Sequence, residues 1–298
     1  MSGLEIGAWN LELFIMPELP EVEVLARHLR PLLCGRTIRD VEVRRQKVLQ
    51  PTSIARFKKN LHGAKFLGLT RRGKYLLFEL RPKNSPNKII LLGHLGMTGR
   101  MFLARNKEPL PKHAAVILNL GAKNFIYEDM RYFGRLTLDL SSVEQLGPEP
   151  LDENFTAEIF ARELKRSRQP IKVKLLDQSL VAGVGNIYAS EALFRAGISP
   201  RRAANRLTLP QIKKLCRAIR NVLTEAIDCG STIPLNFSAG KSDGLFYFGR
   251  AAGTSDFYAE RLQVYDRAGK PCVNCDSPIK RIVQAARSTF FCPRCQKT

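Results

Sequence analysis

The sequence predicts a multidomain α+β protein in which an antiparallel β-domain, a helical domain and a cysteine-rich hairpin follow one another. Three observations support this order: short apolar runs up to residue 140, helical periodicity after residue 150, and four cysteines within the last 27 residues. The chain has 298 residues and is 44% hydrophobic, so it can bury more than one core.

The β-domain is expected to begin with one flanking helix. Residues 20–33 place apolar side chains at helical spacing, with Pro20 in the first turn and Gly35 as a stop. Short apolar runs punctuated by Gly, Pro and Asn then predict the antiparallel strands of a sandwich or barrel. The predicted strands are residues 38–43, 65–69, 75–80, 89–92, 115–120, 125–128 and 135–138.

A helical region follows the Gly-Pro-Glu-Pro segment at residues 147–150, which indicates a linker. The predicted helices are residues 156–167, 171–177, 187–196 and 210–229. Residues 234–257 are rich in Gly, Ser and aromatic side chains without periodicity, which is typical of a long functional or disordered loop. The expected divisions are an extension at 1–15, a β-domain at 16–147, a helical domain at 148–262 and a hairpin at 263–298.

The charge balance indicates a polyanionic partner. Lys and Arg number 48 against 27 Asp and Glu, a formal net charge of +21. Nucleic acid is the default ligand for such an excess, while an anionic membrane surface or a role in solubility are the alternatives. No apolar stretch approaches the roughly 18 residues of a membrane span. Residues 1–15 contain Glu5 and Glu12 but no Lys or Arg, unlike a secretion signal, so a cytoplasmic protein is expected.

The cysteine spacing predicts one structural Zn²⁺. Two C-x2-C pairs, separated by 16 residues, are able to close a tetrahedral thiolate site through a two-stranded hairpin; they are Cys272, Cys275, Cys292 and Cys295. Two disulfides are the alternative, which the odd total of seven cysteines disfavours. Basic residues on this hairpin suit DNA, although a protein-binding ribbon or a purely structural role are also open.

A glycine-rich turn predicts the start of a helix. Gly183 and Gly185 lie in the turn, and Asn186 is expected to cap the helix that follows. Exposed backbone N–H groups at such a helix start bind phosphate oxygens, and the absence of a Lys-Ser/Thr pair argues against ATP. The nearby basic residues Arg168 and Lys172 favour DNA phosphates. An ordinary helix–turn–helix in a core is the alternative.

Several motifs, in a single order along residues 16–298, resemble the formamidopyrimidine-DNA glycosylase family. They are Met-Pro-Glu-Leu-Pro-Glu-Val-Glu from Met16, Arg-Arg-Gly-Lys-Tyr from Arg71, His-Leu-Gly-Met-Thr-Gly from His94, Lys112-His113, Asp-Met-Arg-Tyr-Phe-Gly from Asp129, Leu-Gly-Pro-Glu-Pro from Leu146, Gly-Val-Gly-Asn from Gly183, and the cysteine hairpin.

The resemblance implies a bifunctional DNA glycosylase and abasic-site lyase of base-excision repair. The implied fold is a catalytic β-sandwich, a helix–two-turn–helix domain with a lesion-covering loop, and a zinc finger. The implied partner is duplex DNA that contains oxidised bases or abasic sites, bound by a monomer that needs no organic cofactor. The expected substrates are 8-oxoguanine and formamidopyrimidines. An enzyme similar to endonuclease VIII, acting on oxidised pyrimidines, is the close alternative.

The resemblance also implies catalytic roles. Pro17 would become the first residue once the preceding methionine is removed, and its secondary amine would form a Schiff base with the deoxyribose. Glu18 would move protons at the sugar and base, with Glu21 as the second acid. Lys74 would contact phosphate and assist the first elimination. Arg287 would hold the phosphate that flanks the lesion and assist the second.

Further residues match the family's DNA contacts. Asn186 would bind phosphate, and His113 would contact DNA. The damaged base must leave the stack to be reached, and Met97, Arg131 and Phe133 match the side chains that fill the resulting hole. Core packing is the alternative for the methionine and the phenylalanine, and a structural role is the alternative for the histidine.

Three departures from the family pattern bear on function. Fifteen residues precede Met16, and in that longer chain Pro17 is an amide nitrogen without nucleophilicity. A start at Met16 is expected, while trimming or a catalytically silent, zinc-dependent DNA-binding protein are the alternatives. Tyr132 stands where the family has an arginine, so one anionic or backbone contact is lost or replaced by stacking. The loop at 234–257 is longer than is typical.

Overall fold

The computed structural model describes residues 16–231 and 262–297. The extension at 1–15 and the predicted loop at 234–257 lie outside these ranges. Apolar side chains form two main buried clusters, one in the β-domain and one among the helices and the hairpin. No helix in the described ranges is long and apolar enough to cross a membrane.

Two antiparallel four-stranded sheets form the β-domain, in the orders β2-β3-β4-β8 and β1-β6-β7-β5. The strands are β1 Asp40–Val43, β2 Lys65–Arg72, β3 Tyr75–Arg81, β4 Ile89–His94, β5 Gly99–Arg105, β6 Ala114–Asn119, β7 Lys123–Asp129 and β8 Arg135–Thr137. Phe66 and Phe78 of one sheet pack against Phe125 of the other, with ring centroids 6.5 and 5.6 Å apart. The two sheets therefore share one core, which confirms the predicted sandwich.

Strand β5 and helix α2 (Ile54–Leu61) were not predicted. Strand β5 follows a loop-like Gly-Met-Thr-Gly sequence and has arginines near both ends, which masked its apolar centre. Helix α2 begins at Ser53, whose hydroxyl accepts the Arg56 N–H, and it buries only Phe57 and Leu61. A helix of eight residues with two buried side chains has too few repeats of the apolar helical spacing to be recognised in the sequence.

The helical domain contains short and long helices around one core. The helices around this core are α4 Ala157–Lys165, α5 Ile171–Leu175, α6 Asn186–Ala196 and α7 Leu209–Ser231, while α3 Ser141–Glu144 follows β8 and has no buried residue. Single 3-10 turns occur at Gln46–Leu49 and Ala204–Arg206. The four predicted helices correspond to α4, α5, α6 and α7, with ends shifted by up to two residues.

Helix α1 (Leu19–Leu33) belongs to both cores. Leu19 packs in the helical cluster, while Val22 and Leu25 pack in the sandwich. Helices α1 and α7 also approach closely, because a Cβ at Gly230 would lie 2.7 Å from a Val24 methyl group. The start of α1 is therefore fixed where the two domains meet.

The cysteine hairpin packs on the helical domain. Its strands are β9 Lys280–Gln284 and β10 Arg287–Phe291. The Phe290 ring lies edge-on to Tyr265, with centroids 5.1 Å apart, and the Gln296 amide donates to the Ile198 carbonyl at 2.9 Å. Arg287 begins β10, and both it and Glu18, at the start of α1, act electrostatically on Lys74.

Candidate active site and nucleic-acid interface

The buried carboxylate of Glu18 joins the starts of two helices. Glu18 immediately precedes α1, and its carboxylate accepts backbone N–H groups of Gly185, Ile187 and Tyr188 at 2.7, 2.9 and 3.4 Å. Its own N–H donates to Glu21 Oε2 at 2.6 Å. A negative charge at the start of α6 is favoured by the unsatisfied N–H groups and the helix dipole there.

This arrangement corrects the prediction for the glycine-rich turn. The N–H groups expected to bind a DNA phosphate are occupied by Glu18, a side chain of the protein itself. The N-cap of α6 is Gly185 rather than Asn186. A Cβ at Gly185 would lie 2.3 Å from Glu18 Cδ, and one at Gly183, where φ is +85°, would lie 2.6 Å from Leu19 Cβ. Both glycines are needed because α1 approaches the turn so closely.

Lys74 lies at the tip of the β2–β3 hairpin. Arg72 pairs with Tyr75, so Gly73 and Lys74 form a two-residue turn, with φ of +56° at the glycine. The carboxylate of Glu149 anchors this tip, because it accepts from both Arg71 and Arg72 at 2.8 and 3.0 Å and from the Gly73 N–H. The tip therefore holds Lys74 at a fixed place on the helical domain.

The charge of Lys74 is set by the groups that converge on it. Burial lowers the pKa of Lys74, and the Arg287 guanidinium acts in the same direction. The carboxylates of Glu18 and Glu21 oppose both effects. Lys74 of the β-domain is thus acted on electrostatically by the two acids at the start of α1 and by Arg287 of the hairpin. These groups come from three separate parts of the chain.

Asn186 connects the helical domain to the hairpin. Its amide nitrogen donates to the Ser288 carbonyl at 2.9 Å, and its amide oxygen accepts from the Lys172 ammonium at 2.5 Å. Lys172 also contacts Thr289 Oγ1 at 3.4 Å and is only 1% exposed. Arg287 begins β10 beside these contacts, after a turn in which Ala285 and Ala286 have φ of 46° and 57°.

A second group of predicted residues lies on two neighbouring loops of the sandwich. Arg131 contacts the Met97 sulfur at 3.7 Å, and its guanidinium carbon lies 4.8 Å from the centroid of the Phe133 ring. Phe133 is 49% exposed, so it is not a core side chain. The loops touch, because a Cβ at Gly96 would lie 2.6 Å from the Gly134 nitrogen.

The two groups are linked through one pair of strands. Tyr75 follows Lys74 and pairs with His94, which precedes the loop of Met97. Their rings lie 4.7 Å apart between centroids. Burial lowers the pKa of His94 to about 4, and the Lys74 ammonium contributes. The histidine is therefore neutral at physiological pH, and its Nδ1 accepts the Gly96 N–H at 3.2 Å.

The four hairpin cysteines form a metal site. Their sulfur atoms all lie within 4.8 Å of one another, with individual separations of 3.4, 3.5 and 3.9 Å. Zinc–sulfur bonds of about 2.3 Å in a tetrahedron require separations near ~3.8 Å, whereas a disulfide requires about 2.05 Å. None of the four hairpin cysteines is paired in a disulfide, which excludes the disulfide alternative. Zinc fits the four thiolates as a structural ion that closes the hairpin.

Comparisons with known proteins match each part of this architecture. The formamidopyrimidine-DNA glycosylase N-terminal domain matches residues 16–136, the H2TH domain of the same enzymes matches 146–237, and the zinc finger found in FPG and IleRS matches 269–298. The formamidopyrimidine-DNA glycosylase of Pelotomaculum thermopropionicum is 41% identical over 290 residues, covering 95% of this chain and 99% of that protein. The chain belongs to the formamidopyrimidine-DNA glycosylase family.

Solved structures of formamidopyrimidine-DNA glycosylase, abbreviated Fpg, have the same fold as this chain. Lactococcus lactis Fpg bound non-covalently to DNA containing an abasic site superposes with a TM-score of 0.81 at 33% identity, over 94% of this chain and all of that one. The same protein with N7-benzyl-Fapy-dG DNA gives 0.82 at 35% identity, over 95% and 100%. This Fpg-family chain is therefore a DNA glycosylase of DNA repair that binds DNA.

The two acids of this glycosylase have perturbed protonation. Burial is the main cause that raises the pKa of Glu18, against the Lys74 ammonium and three backbone N–H groups. Burial and the adjacent Glu18 charge raise the pKa of Glu21 to about 7, against the Tyr188 hydroxyl, which donates to it. Two carboxylates this close do not ionise independently, so the pair retains a proton to higher pH than a free glutamate.

The remaining predicted residues fall in two classes. Arg168 is exposed between α4 and α5, and His113 is partly exposed at the start of β6, where a DNA contact stays a prediction. Lys172 differs from expectation, because its ammonium is enclosed. Burial lowers the pKa of Lys172 to about 8. Lys172 would have to break its hydrogen bond to Asn186 to reach a phosphate. Its ammonium therefore holds the Asn186 amide in position instead.

Asp129 joins the two loops of the Met97–Arg131–Phe133 group, a role that the sequence did not predict. The carboxylate is fully buried and accepts from Thr98 Oγ1 at 2.6 Å, from the Gly134 N–H at 2.8 Å and from the Arg131 N–H at 3.2 Å. It therefore ties the loop of Met97 to the loop of Arg131. An acid next to a turn is too common a signal to reveal this in advance.

We expect Asp129→Asn to lower the free energy of unfolding by about 1–3 kcal/mol, because an amide nitrogen would face an N–H or hydroxyl donor and leave it unsatisfied. Urea denaturation measures the change. Asp139→Asn is the control, since that carboxylate accepts an exposed Ser141 hydroxyl. Equal stabilities of the two variants would show that Asp129 does not hold the loops.

Proposed function

We propose that this Fpg-family glycosylase excises oxidised purines, 8-oxoguanine and formamidopyrimidines, from duplex DNA and cleaves the strand as an abasic-site lyase. The observation that carries the proposal is the environment of the Pro17–Glu18 dipeptide. Both residues are buried at the start of α1, and Glu18 is held by the α6 amides beside Lys74. A nucleophile at residue 17 would therefore have Glu18 next to it as a proton carrier, with the charge of Lys74 acting on that carboxylate.

The chemistry follows from these positions. The Pro17 amine, when it is the first residue, bonds to C1′, and the glycosidic electron pair leaves with the base. The amine proton passes to Glu18, which returns it to O4′ as the sugar ring opens and the iminium forms. The iminium makes the C2′ proton acidic, so the 3′-phosphate is eliminated, and a second elimination releases the 5′-phosphate. Lys74 and Arg287 would neutralise the departing phosphates.

The raised pKa of Glu18 suits this role. Because burial raises its pKa, the ionised carboxylate is a better proton acceptor than a free glutamate, and the protonated form can return that proton later in the cycle. Full ionisation is favoured only by its backbone donors and by Lys74, and burial opposes it. Asn186, whose amide oxygen accepts from Lys172, would bind a phosphate beside Arg287 through the second N–H of its amide nitrogen.

We expect Glu18→Gln to slow release of 8-oxoguanine about 100-fold or more, since the proton carrier is lost while the amide keeps most of the side-chain volume. Single-turnover excision from a duplex with one lesion, using protein that begins at Pro17, measures this. Glu225→Gln on α7 is the matched control, because that carboxylate pairs with Arg195 at the surface, at 2.7 Å.

The same assay tests the choice of substrate. Duplexes with 8-oxoguanine, a formamidopyrimidine or thymine glycol are compared at equal enzyme concentration. Faster release of thymine glycol would replace the proposed purine specificity with that of an endonuclease VIII-like enzyme. An unchanged rate in Glu18→Gln would remove Glu18 from the catalytic residues.

A further inference from the structure

Arg45 lies at the same end of the β1-β6-β7-β5 sheet as the Met97–Arg131–Phe133 group. The N–H groups of Arg44 and Arg45 both donate to the Ala115 carbonyl, at 2.9 and 3.2 Å, just beyond β1. Two residues before Ala115, the His113 carbonyl accepts the Asp129 N–H at 3.1 Å, where β7 ends. The ends of β1 and β7 and the start of β6 therefore bring Arg45 next to the loop at 130–134.

Tyr132 holds the Arg45 side chain in place. The Arg45 Nε donates to the Tyr132 hydroxyl at 3.0 Å, and its guanidinium carbon lies 5.6 Å from the ring centroid. The ring itself packs against the sandwich core, and its backbone has φ of +53° because the loop must turn between Arg131 and Phe133. An anchored aromatic ring thus fixes the direction of an exposed guanidinium.

The charge of Arg45 is uncompensated, in contrast to that of its neighbour. Arg44 pairs with Glu42 at 2.6 Å, whereas within the described ranges Arg45 has no carboxylate partner. Arg45 Nη1 donates to the Arg44 backbone carbonyl at 3.2 Å. Arg45 is therefore an oriented, exposed cation beside Arg131, with donors left over for an anion.

We propose that Arg45 binds a phosphate of the DNA backbone next to the gap entered by Arg131 and Phe133, and that Tyr132 orients its guanidinium for this contact. The proposal rests on the proposed function, in which those two side chains enter the duplex. Arg45 brings its guanidinium to the loop at 130–134 from the segment that follows β1. A stacked, planar guanidinium with free N–H groups is well suited to phosphate oxygens.

The test is the salt dependence of binding to a duplex with a tetrahydrofuran abasic-site analogue and to the undamaged duplex. We expect Arg45→Ala to weaken binding to both about 3- to 10-fold and to reduce the log–log salt slope by about one unit. Arg44→Ala changes the net charge equally, and its slope should stay that of the parent protein. Tyr132→Phe keeps the ring but loses the acceptor, so it should weaken binding less than Arg45→Ala does.

Equal slopes for Arg45→Ala and Arg44→Ala would overturn the proposal, because net charge alone would then explain the loss. A loss confined to one DNA sequence would also overturn it, since a phosphate contact carries little sequence information. The double variant Arg45→Ala/Tyr132→Phe should bind like Arg45→Ala, because Tyr132 acts through Arg45; an additional loss would contradict that role. If the parent protein excises lesions but Arg45→Ala has no effect on binding, only this proposal fails; a parent protein that excises no lesion would remove the proposed function as well.

Discussion

Protein that begins at Pro17 is expected to be captured covalently on abasic-site DNA by borohydride, while the chain that retains residues 1–16 is not. Borohydride reduces the iminium to a stable amine, so the adduct reports a Schiff base directly. An amide nitrogen has no available lone pair for the attack, and residue 17 is such an amide whenever another residue precedes it. We expect a difference in adduct yield of at least about 100-fold, from the loss of covalent catalysis.

The matched control is a single preparation of the longer chain with a protease site before Pro17, assayed before and after cleavage. DNA affinity, measured on the same samples, should stay within a few-fold, since Asn186, Arg287 and Arg131 are unaffected. Equal adduct yields before and after cleavage would mean that another amine is the nucleophile. Lys74 would then be the first to test, because burial lowers its pKa and its charge interacts with Glu18.

Loss of zinc is expected to abolish tight DNA binding. Such small metal domains fold largely through their metal, and Cys292→Ser removes one of four thiolates. The hairpin carries Arg287 and the Ser288 carbonyl that accepts from Asn186, so both lose their positions when it unfolds. We expect affinity for an abasic-site duplex to fall at least about 100-fold, which corresponds to ~2.7 kcal/mol.

Cys34→Ser provides the control, because Cys34 lies at the end of α1 and outside the metal cluster. Metal analysis should give one zinc per chain in the parent and in Cys34→Ser. Circular dichroism should retain most of the helical signal in Cys292→Ser, since α4 to α7 contribute most of their own core. Full DNA affinity in a zinc-free protein would contradict the role of the hairpin.

The zinc site and the sandwich could be predicted because their signals are local. Four cysteines in two short pairs specify a tetrahedral site almost regardless of the surrounding fold. Short apolar runs between Gly, Pro and Asn residues reveal which segments are strands, although they did not reveal β5, whose arginines interrupt the pattern. The family motifs located the acids and the residues proposed to face DNA without revealing what each of them contacts within the protein.

The errors concern contacts between distant residues. The turn at Gly183–Gly185 was expected to bind phosphate because a helix start attracts an anion, and that physical reasoning was correct. The anion proved to be Glu18, which is remote in sequence, so no local pattern could identify it. Lys172 likewise resembled a surface lysine, and only the packing of the hairpin against α5 and α6 encloses it.

The double membership of α1 has a consequence for the order in which the protein is made. The contact from Gly185 to Glu18 spans 167 residues, and the one from Tyr188 to the same carboxylate spans 170. A ribosome that synthesises the chain from its amino end releases Glu18 long before its partners exist, so the sandwich can assemble first while the start of α1 stays exposed. Closing so large a loop is slow compared with local contacts. Glu18 is therefore translated early but makes its backbone hydrogen bonds late. The site of Glu18 and Glu21 is assembled only after the helical domain has emerged from the ribosome.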